Sequence, residues 1–398
     1  MPVTAAAPAP EAVCVGETMA VLVPEQPGPL EAAEFFSRTV GGAESNVACG
    51  LAALGVASGW ISRVGADGFG RLVLAQLTAR GVDTSAVVID PHRPTGLYVK
   101  EIGGGTGSPH DLGPGHSKLH YYRSDSAASA LEPATLETPA AAASLAGARL
   151  VHLTGITAGL GYRAGRDGGK RLVEAALDQR RPGQLVSFDL NWRPALWHRH
   201  GGPGPGQAPA EILAGLADRA DVVLLGSDEA ELVFGTGDPR RLRALLPHPR
   251  ILVVKDSGHG VTAFDDANEG EDGMVTESAL SVEVVEPIGA GDAFAAGYLA
   301  GLLRGYDQRR RIRLGHLCAA AVLVVPGDQG APPRAEVLET LLDSSPAHWA
   351  ATRANSAALS SPALDGPAAH GGSAPLADSA VVGDPRVPLP TSSPKVAP

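Results

Sequence analysis

The segment VVEPIGAGDAFAAGYLAGLL (284–303) sets a bare carboxylate, Asp292, beside Gly289, Ala290 and Gly291, where an apolar run with helical spacing begins. Glycines let backbone N–H groups approach a ligand closely. A helix starting there adds unpaired N–H groups and the positive end of its dipole. Such a cradle suits an anion, which Asp292 would repel. Beside it, the carboxylate makes chemical sense as a general base: it takes the proton of a hydroxyl while the cradle neutralises charge on the group transferred. That is the logic of phosphoryl transfer. The competing reading is an aspartate that only caps the helix.

A second stretch, VGGAESNVACGLAALG (40–55), has related chemistry. Gly41 and Gly42 close a strand-like segment and open a helix whose buried stripe is Val47, Leu51 and Leu54, with Gly55 suited to its end. Asn46 falls in the first turns, near enough to the glycine pair to face the same cleft; the alternative is a solvated asparagine by a glycine-rich turn. The phosphate-loop pattern GxxxxGK[ST] and the protein-kinase HRD and DFG signatures are absent, and GADGFG (65–70) lacks the GxGxxG order. No glycine-rich dinucleotide fingerprint stands near the start, which argues against an oxidoreductase.

These residues need a scaffold. The chain has 398 residues, 44% of them hydrophobic, enough for a large core. A net charge of −11 argues against a basic nucleic-acid face. Cys14, Cys49 and Cys318 are far apart and match no metal motif, which points to reduced thiols and a cytoplasmic setting. No signal-type leader and no membrane-length apolar run stand out. Short β-branched runs (AVCVG, SGWISRVG, LVSFDLN, DVVLLG, ILVVKDS, SVEVVEP) alternate with Ala/Leu-rich helical runs. The alternation predicts an α/β fold: a mostly parallel sheet with helices on both faces. Between about 86 and 125, strand-like runs follow one another without a helix, which predicts a small β projection. Glycine-rich inserts at 103–117 and 198–209 read as surface loops. Segments 1–11 and 345–398 are expected to be disordered, leaving a domain over 12–344.

A diglycine–Asn segment early and a GAGD segment late, on an α/β chain with an early β excursion, resemble the ribokinase (PfkB-type) carbohydrate kinases over roughly 13–341. GETMAVLVPEQPG, HYYRSDSAASAL, HLTGITAGL and FDLNWRPALW narrow the likeness to 2-keto-3-deoxygluconate kinases. The resemblance implies a three-layer α/β/α sandwich with a β lid drawn from segments within about 13–40 and 86–125, ATP and Mg²⁺ as cofactors, and homo-oligomers formed through the lid. It implies Asp292 as catalytic base, Gly289, Ala290 and Gly291 as the γ-phosphate cradle, and Gly41, Gly42 and Asn46 at the sugar. A sugar acid needs a cation for its carboxylate, and the candidates are Arg123 and Arg193, otherwise surface ion-pair residues. Tyr98 and Tyr121 would supply hydroxyls, and Asp328 an acidic contact. On the nucleotide side, the resemblance implies Lys255, Ser257, Gly258 and Gly260, and through water Glu229 at the metal. The product would be the 6-phosphate, fit for an Entner–Doudoroff-type aldolase. Departures are Gly226 where relatives carry Asn, Glu286 for Asp, and Ser257 for Gly. They leave room for another sugar kinase of the family, or for a silent regulator that only binds.

Overall fold

The computed structural model describes residues 9–162, 165–197, 208–267, 273–325, 327 and 330–355; Asp328 lies outside them. In chain order the strands are β1 (Ala12–Val15), β2 (Met19–Pro24), β3 (Phe36–Gly41), β4 (Ser58–Gly65), β5 (Val82–Asp83), β6 (Val87–Asp90), β7 (Leu97–Ile102) and β8 (Ser117–Tyr122). They continue as β9 (Leu150–Thr154), β10 (Leu185–Asp189), β11 (Val222–Gly226), β12 (Ile251–Asp256), β13 (Gly260–Asp265), β14 (Met274–Ser278), β15 (Ser281–Val282) and β16 (Arg353–Ala354).

The main sheet runs β14-β13-β12-β11-β10-β9-β1-β4-β5, with β6 also paired to β4. From β5 to β12 the pairings are parallel; β13 and β14 add an antiparallel edge. Central strands such as VVLLG and LVHLT are buried at every position, as expected where both faces are covered. Val13, Val15, Val151, Leu153, Val186 and Phe188 pack on one side with the helices Pro139–Gly147, Gly168–Asp178 and Pro209–Ala217. Alternate residues such as Cys14 and Trp60 face the other side, where the helices Ala43–Ala53, Ala290–Leu303 and Gln308–Leu323 lie. The last two cross closely: a Cβ on Gly297 would sit 2.6 Å from the Leu314 carbonyl oxygen. Glycine inside that helix therefore serves close packing.

A second sheet, β3-β2-β7-β8, forms the lid. Met19, Val21 and Tyr98 make its small core, backed by Val23 and Leu119. Register sets Tyr98 opposite both Val21 and Tyr121.

Two expectations need correction. SVEVVEP is not a full strand: only Ser281–Val282 pairs, with β16, while Val284 and Val285 are exposed and Val285 N–H donates to Leu323 O. The ordered chain also outlasts residue 344. A helix spans Pro346–Ala351 and β16 follows, because Trp349 is buried, donates its indole N–H to Ser278 O at 2.8 Å, and lies under the Arg313 guanidinium. A single large aromatic anchors a segment whose Ala/Ser/Pro composition reads as unfolded.

Candidate active site

β1 pairs with β4 on one side and β9 on the other, so the chain order reverses there, and α/β sheets hold ligands outside the carboxyl ends of their strands at such a point. Of the residues singled out from the sequence, Asn46, Arg193, Glu229, Lys255 and Asp292 come together at that end. Gly289 takes a left-handed conformation (φ 85°) as the cap of the Ala290–Leu303 helix and puts Asp292 in the first turn. A non-glycine residue would be strained at that φ.

Asp292 is not merely a cap: no side-chain bond caps this helix, and its carboxyl is engaged from elsewhere. Asn46, 246 residues away, donates from Nδ2 to Oδ2 at 2.9 Å. Asn191 donates from Nδ2 to Oδ1 at 3.4 Å. Burial is the first cause pushing its pKa up to about 7, opposed by the Asn46 hydrogen bond, raised further by the Asp189 charge, and eased by Arg193 and Lys255.

The supports are built from strand ends. Asp189, at the end of β10, accepts Asn191 N–H at 3.2 Å on one oxygen and Lys255 Nζ at 3.0 Å on the other. Asn191 itself has φ 38°, an uncommon conformation for a residue with a side chain, and its Oδ1 is buried without a partner. Lys255 Nζ lies 3.8 Å from where a Cβ on Gly291 would stand, beside the first turn of the Ala290–Leu303 helix. Burial works against the charge on Lys255, but Asp189 and Glu229 outweigh it and its pKa rises. Arg193 donates to Trp192 O at 2.8 Å and to Glu229 Oε1 at 3.4 Å. Burial first, then the Asp189 charge, raises the Glu229 pKa.

The second glycine of the pair has a steric cause. Gly42 has extended backbone, but a Cβ there would lie 2.2 Å from Glu17 O in the β1–β2 turn. That contact brings the Ala43–Ala53 helix, and Asn46 with it, over the strand ends. Beneath it Glu44 is fully buried and accepts from Thr154 Oγ1 at 2.5 Å and from Thr157 Oγ1.

The lid residues form a second group. Tyr98 and Tyr121 rings are 5.6 Å apart, and the Arg123 guanidinium lies 4.7 Å above the Tyr121 ring. Arg123 donates to Glu17 Oε2 at 2.7 Å, and Glu17 also accepts from Ser126 Oγ at 3.1 Å. Ser257 and Gly258 sit in the turn from β12 to β13, and Gly260 opens β13, where a Cβ would meet Glu277 O at 2.5 Å. Close strand pairing and a φ of 155° both call for glycine at 260.

Sequence reasoning missed Asn191, Asp189 and Glu17. The signal was present: FDLN sets an Asp and an Asn where a strand ends, and GET follows β1 directly. Nothing in that text says that Asn191 turns toward residue 292.

Comparison with known proteins identifies the family. The family model described as "pfkB family carbohydrate kinase" matches residues 9–335. A 2-dehydro-3-deoxygluconokinase of Thermoproteus tenax is 35% identical over 83% of this chain and 93% of its own length. A 2-dehydro-3-deoxygluconokinase of Bacillus subtilis (strain 168) is 33% identical over 84% and 96%. The solved structure of a PfkB protein from Polaromonas sp. JS666 superposes with a TM-score of 0.66 at 33% identity, over 80% of this chain and 98% of that one. With the family model and these relatives matching most of its length, this chain is a carbohydrate kinase of the PfkB family.

Proposed function

We propose that the protein transfers the γ-phosphoryl group of ATP to the terminal hydroxyl of 2-keto-3-deoxygluconate, giving the 6-phosphate and ADP. The observation that carries this reading is Asp292 at the head of the cradle helix, held by two carboxamides, with its pKa pushed up to about 7. A base whose pKa lies near the working pH is both deprotonated often enough and basic enough to act. Asp292 takes the hydroxyl proton, the oxygen attacks the γ-phosphorus in line, and the bond to the ADP oxygen breaks. The N–H groups of 289–291 receive charge on the transferred group, with the Lys255 ammonium close by.

The donor set suits a magnesium ion that arrives with the nucleotide. Among the described residues no cluster of three metal-ligating side chains exists, so phosphate oxygens and water would supply most ligands. Glu229, whose pKa is raised by burial and by the neighbouring Asp189 and Asp228, is the carboxylate a cation would relieve. An ion held there would neutralise phosphate charge. Ser257, Gly258 and Gly260 are assigned to the nucleotide side with Lys255, while Gly41, Gly42, Asn46, Tyr98, Tyr121, Arg123 and Arg193 are assigned to the sugar acid. The names of the curated relatives support the substrate. Homo-oligomers would form through the outer lid face, where Phe36 and Tyr122 are exposed.

One observation favours a second reading. Both candidate arginines already have carboxylate partners, Arg123 with Glu17 and Arg193 with Glu229. A neutral sugar would need neither cation. A coupled ADP-release assay over keto-deoxy sugar acids, fructose, ribose and adenosine decides. Turnover confined to a keto-deoxy sugar acid is the expected result, and turnover only with a neutral sugar would overturn the substrate assignment.

A further inference from the structure

An ion pair between residues 186 apart in sequence joins the lid to the phosphate cradle: Lys100 Nζ, on β7, meets Glu286 Oε2, in the turn that leads to Gly289. Each side chain is only 12% exposed. Glu286 uses its other oxygen to accept the Ile288 N–H at 3.3 Å. The backbone N–H groups of Val285 and Glu286 are tied to Leu323 O at 2.7 and 3.3 Å. One carboxylate therefore braces the turn from inside and reaches the lid outside. Lys100 is two residues from Tyr98, so both stand on the same face of the lid strand.

Loss of the ammonium would leave a largely buried carboxylate unpaired, the costly half of any buried ion pair. The turn it braces is the one that must hold Gly289 at φ 85° and aim the first N–H groups of the helix. Lifting the lid thus withdraws a support from the cradle. We propose that Lys100 and Glu286 are a positioning pair that makes cradle order conditional on lid closure, so that sugar and nucleotide bind with positive coupling. This rests on the reading above that the sugar lies under the lid and the γ-phosphate at 289–291. Coupling of this kind is reciprocal: whatever sugar does for nucleotide affinity, nucleotide does for sugar affinity.

The test has two arms. In the first, hydrogen exchange is followed in wild type, Lys100→Met and the charge-keeping Lys100→Arg, each with and without the sugar that the ADP-release screen identifies. In wild type and Lys100→Arg the sugar should slow exchange of the 288–292 amides by about fivefold or more, and in Lys100→Met it should not; equal slowing in Lys100→Met overturns the proposal. In the second arm, the dissociation constant of a non-hydrolysable ATP analogue is measured with and without the sugar that the ADP-release screen identifies. Wild type should bind the analogue roughly fivefold tighter or better with sugar present, the lower end of ordinary coupling. That ratio should fall toward one in Lys100→Met and survive in Lys100→Arg. A ratio undiminished in Lys100→Met overturns the coupling. A wrong substrate assignment shows in the ADP-release screen, whereas a wrong positioning pair shows as sugar-dependent protection and coupling undiminished in Lys100→Met, so the two fail in different experiments.

Discussion

Replacing Asp292 by Asn removes one charge, keeps the shape, and should separate catalysis from stability. Folding lifts this carboxyl from 3.8 to about 7, so the folded protein holds the proton more tightly than the unfolded chain does. The sign follows from linkage. The ionisable carboxyl costs nothing below pH 3.8, destabilises the fold increasingly as pH climbs toward about 7, and costs a constant amount above that. At about 1.4 kcal/mol per unit, the cost is capped at about 4 kcal/mol. Asp292→Asn should therefore match wild type near pH 4 and gain up to that amount at pH 8, read as a difference in thermal or urea midpoints at the two pH values. Its turnover should drop by about a hundred- to ten-thousand-fold while substrate binding is largely kept. In wild type, kcat/KM should rise about tenfold per pH unit up to about 7 and then level. Near-normal turnover in the variant refutes the base assignment. A stability difference independent of pH refutes the electrostatic account.

Other consequences follow from the same geometry. Gly42→Ala should lower stability by about 1–3 kcal/mol, since its Cβ would clash with Glu17 O and the turn must yield; a melting curve checks this. Arg123→Met alone strands the buried Glu17, so the informative variant is Arg123→Met with Glu17→Gln. For a sugar acid its KM should rise about tenfold or more, the loss of a charge-assisted bond, whereas a neutral sugar should show no change. Trp349→Ala should cost about 3–5 kcal/mol by denaturant titration, although the residue lies beyond the segment that reads as the folded domain. Tyr122→Lys on the outer lid face should shift sedimentation toward the monomer, and an unchanged oligomer would place the interface elsewhere.

The amino-acid sequence by itself determined the layers. Runs such as VVLLG and LVSFD became strands buried on both sides because no other secondary structure hides so many β-branched and aromatic groups in so few residues. It also determined the start of the Ala290–Leu303 helix, since glycine at 289 is the residue that tolerates a left-handed cap there. Local composition could not determine the end of the fold, because the Pro346–Ala351 helix depends on one tryptophan finding a distant carbonyl. Nor could it determine which side chains share a site. Asn46, Asn191 and Asp292 are far apart in sequence, and their types alone permit solvated or capping roles. Only the crossing of the Ala43–Ala53 and Ala290–Leu303 helices, with the turn after β10, brings the two amides to the carboxyl. The ion pairs that occupy Arg123, Arg193 and Lys100 are likewise decided by tertiary structure, because each joins residues far apart in the chain that only the fold brings together.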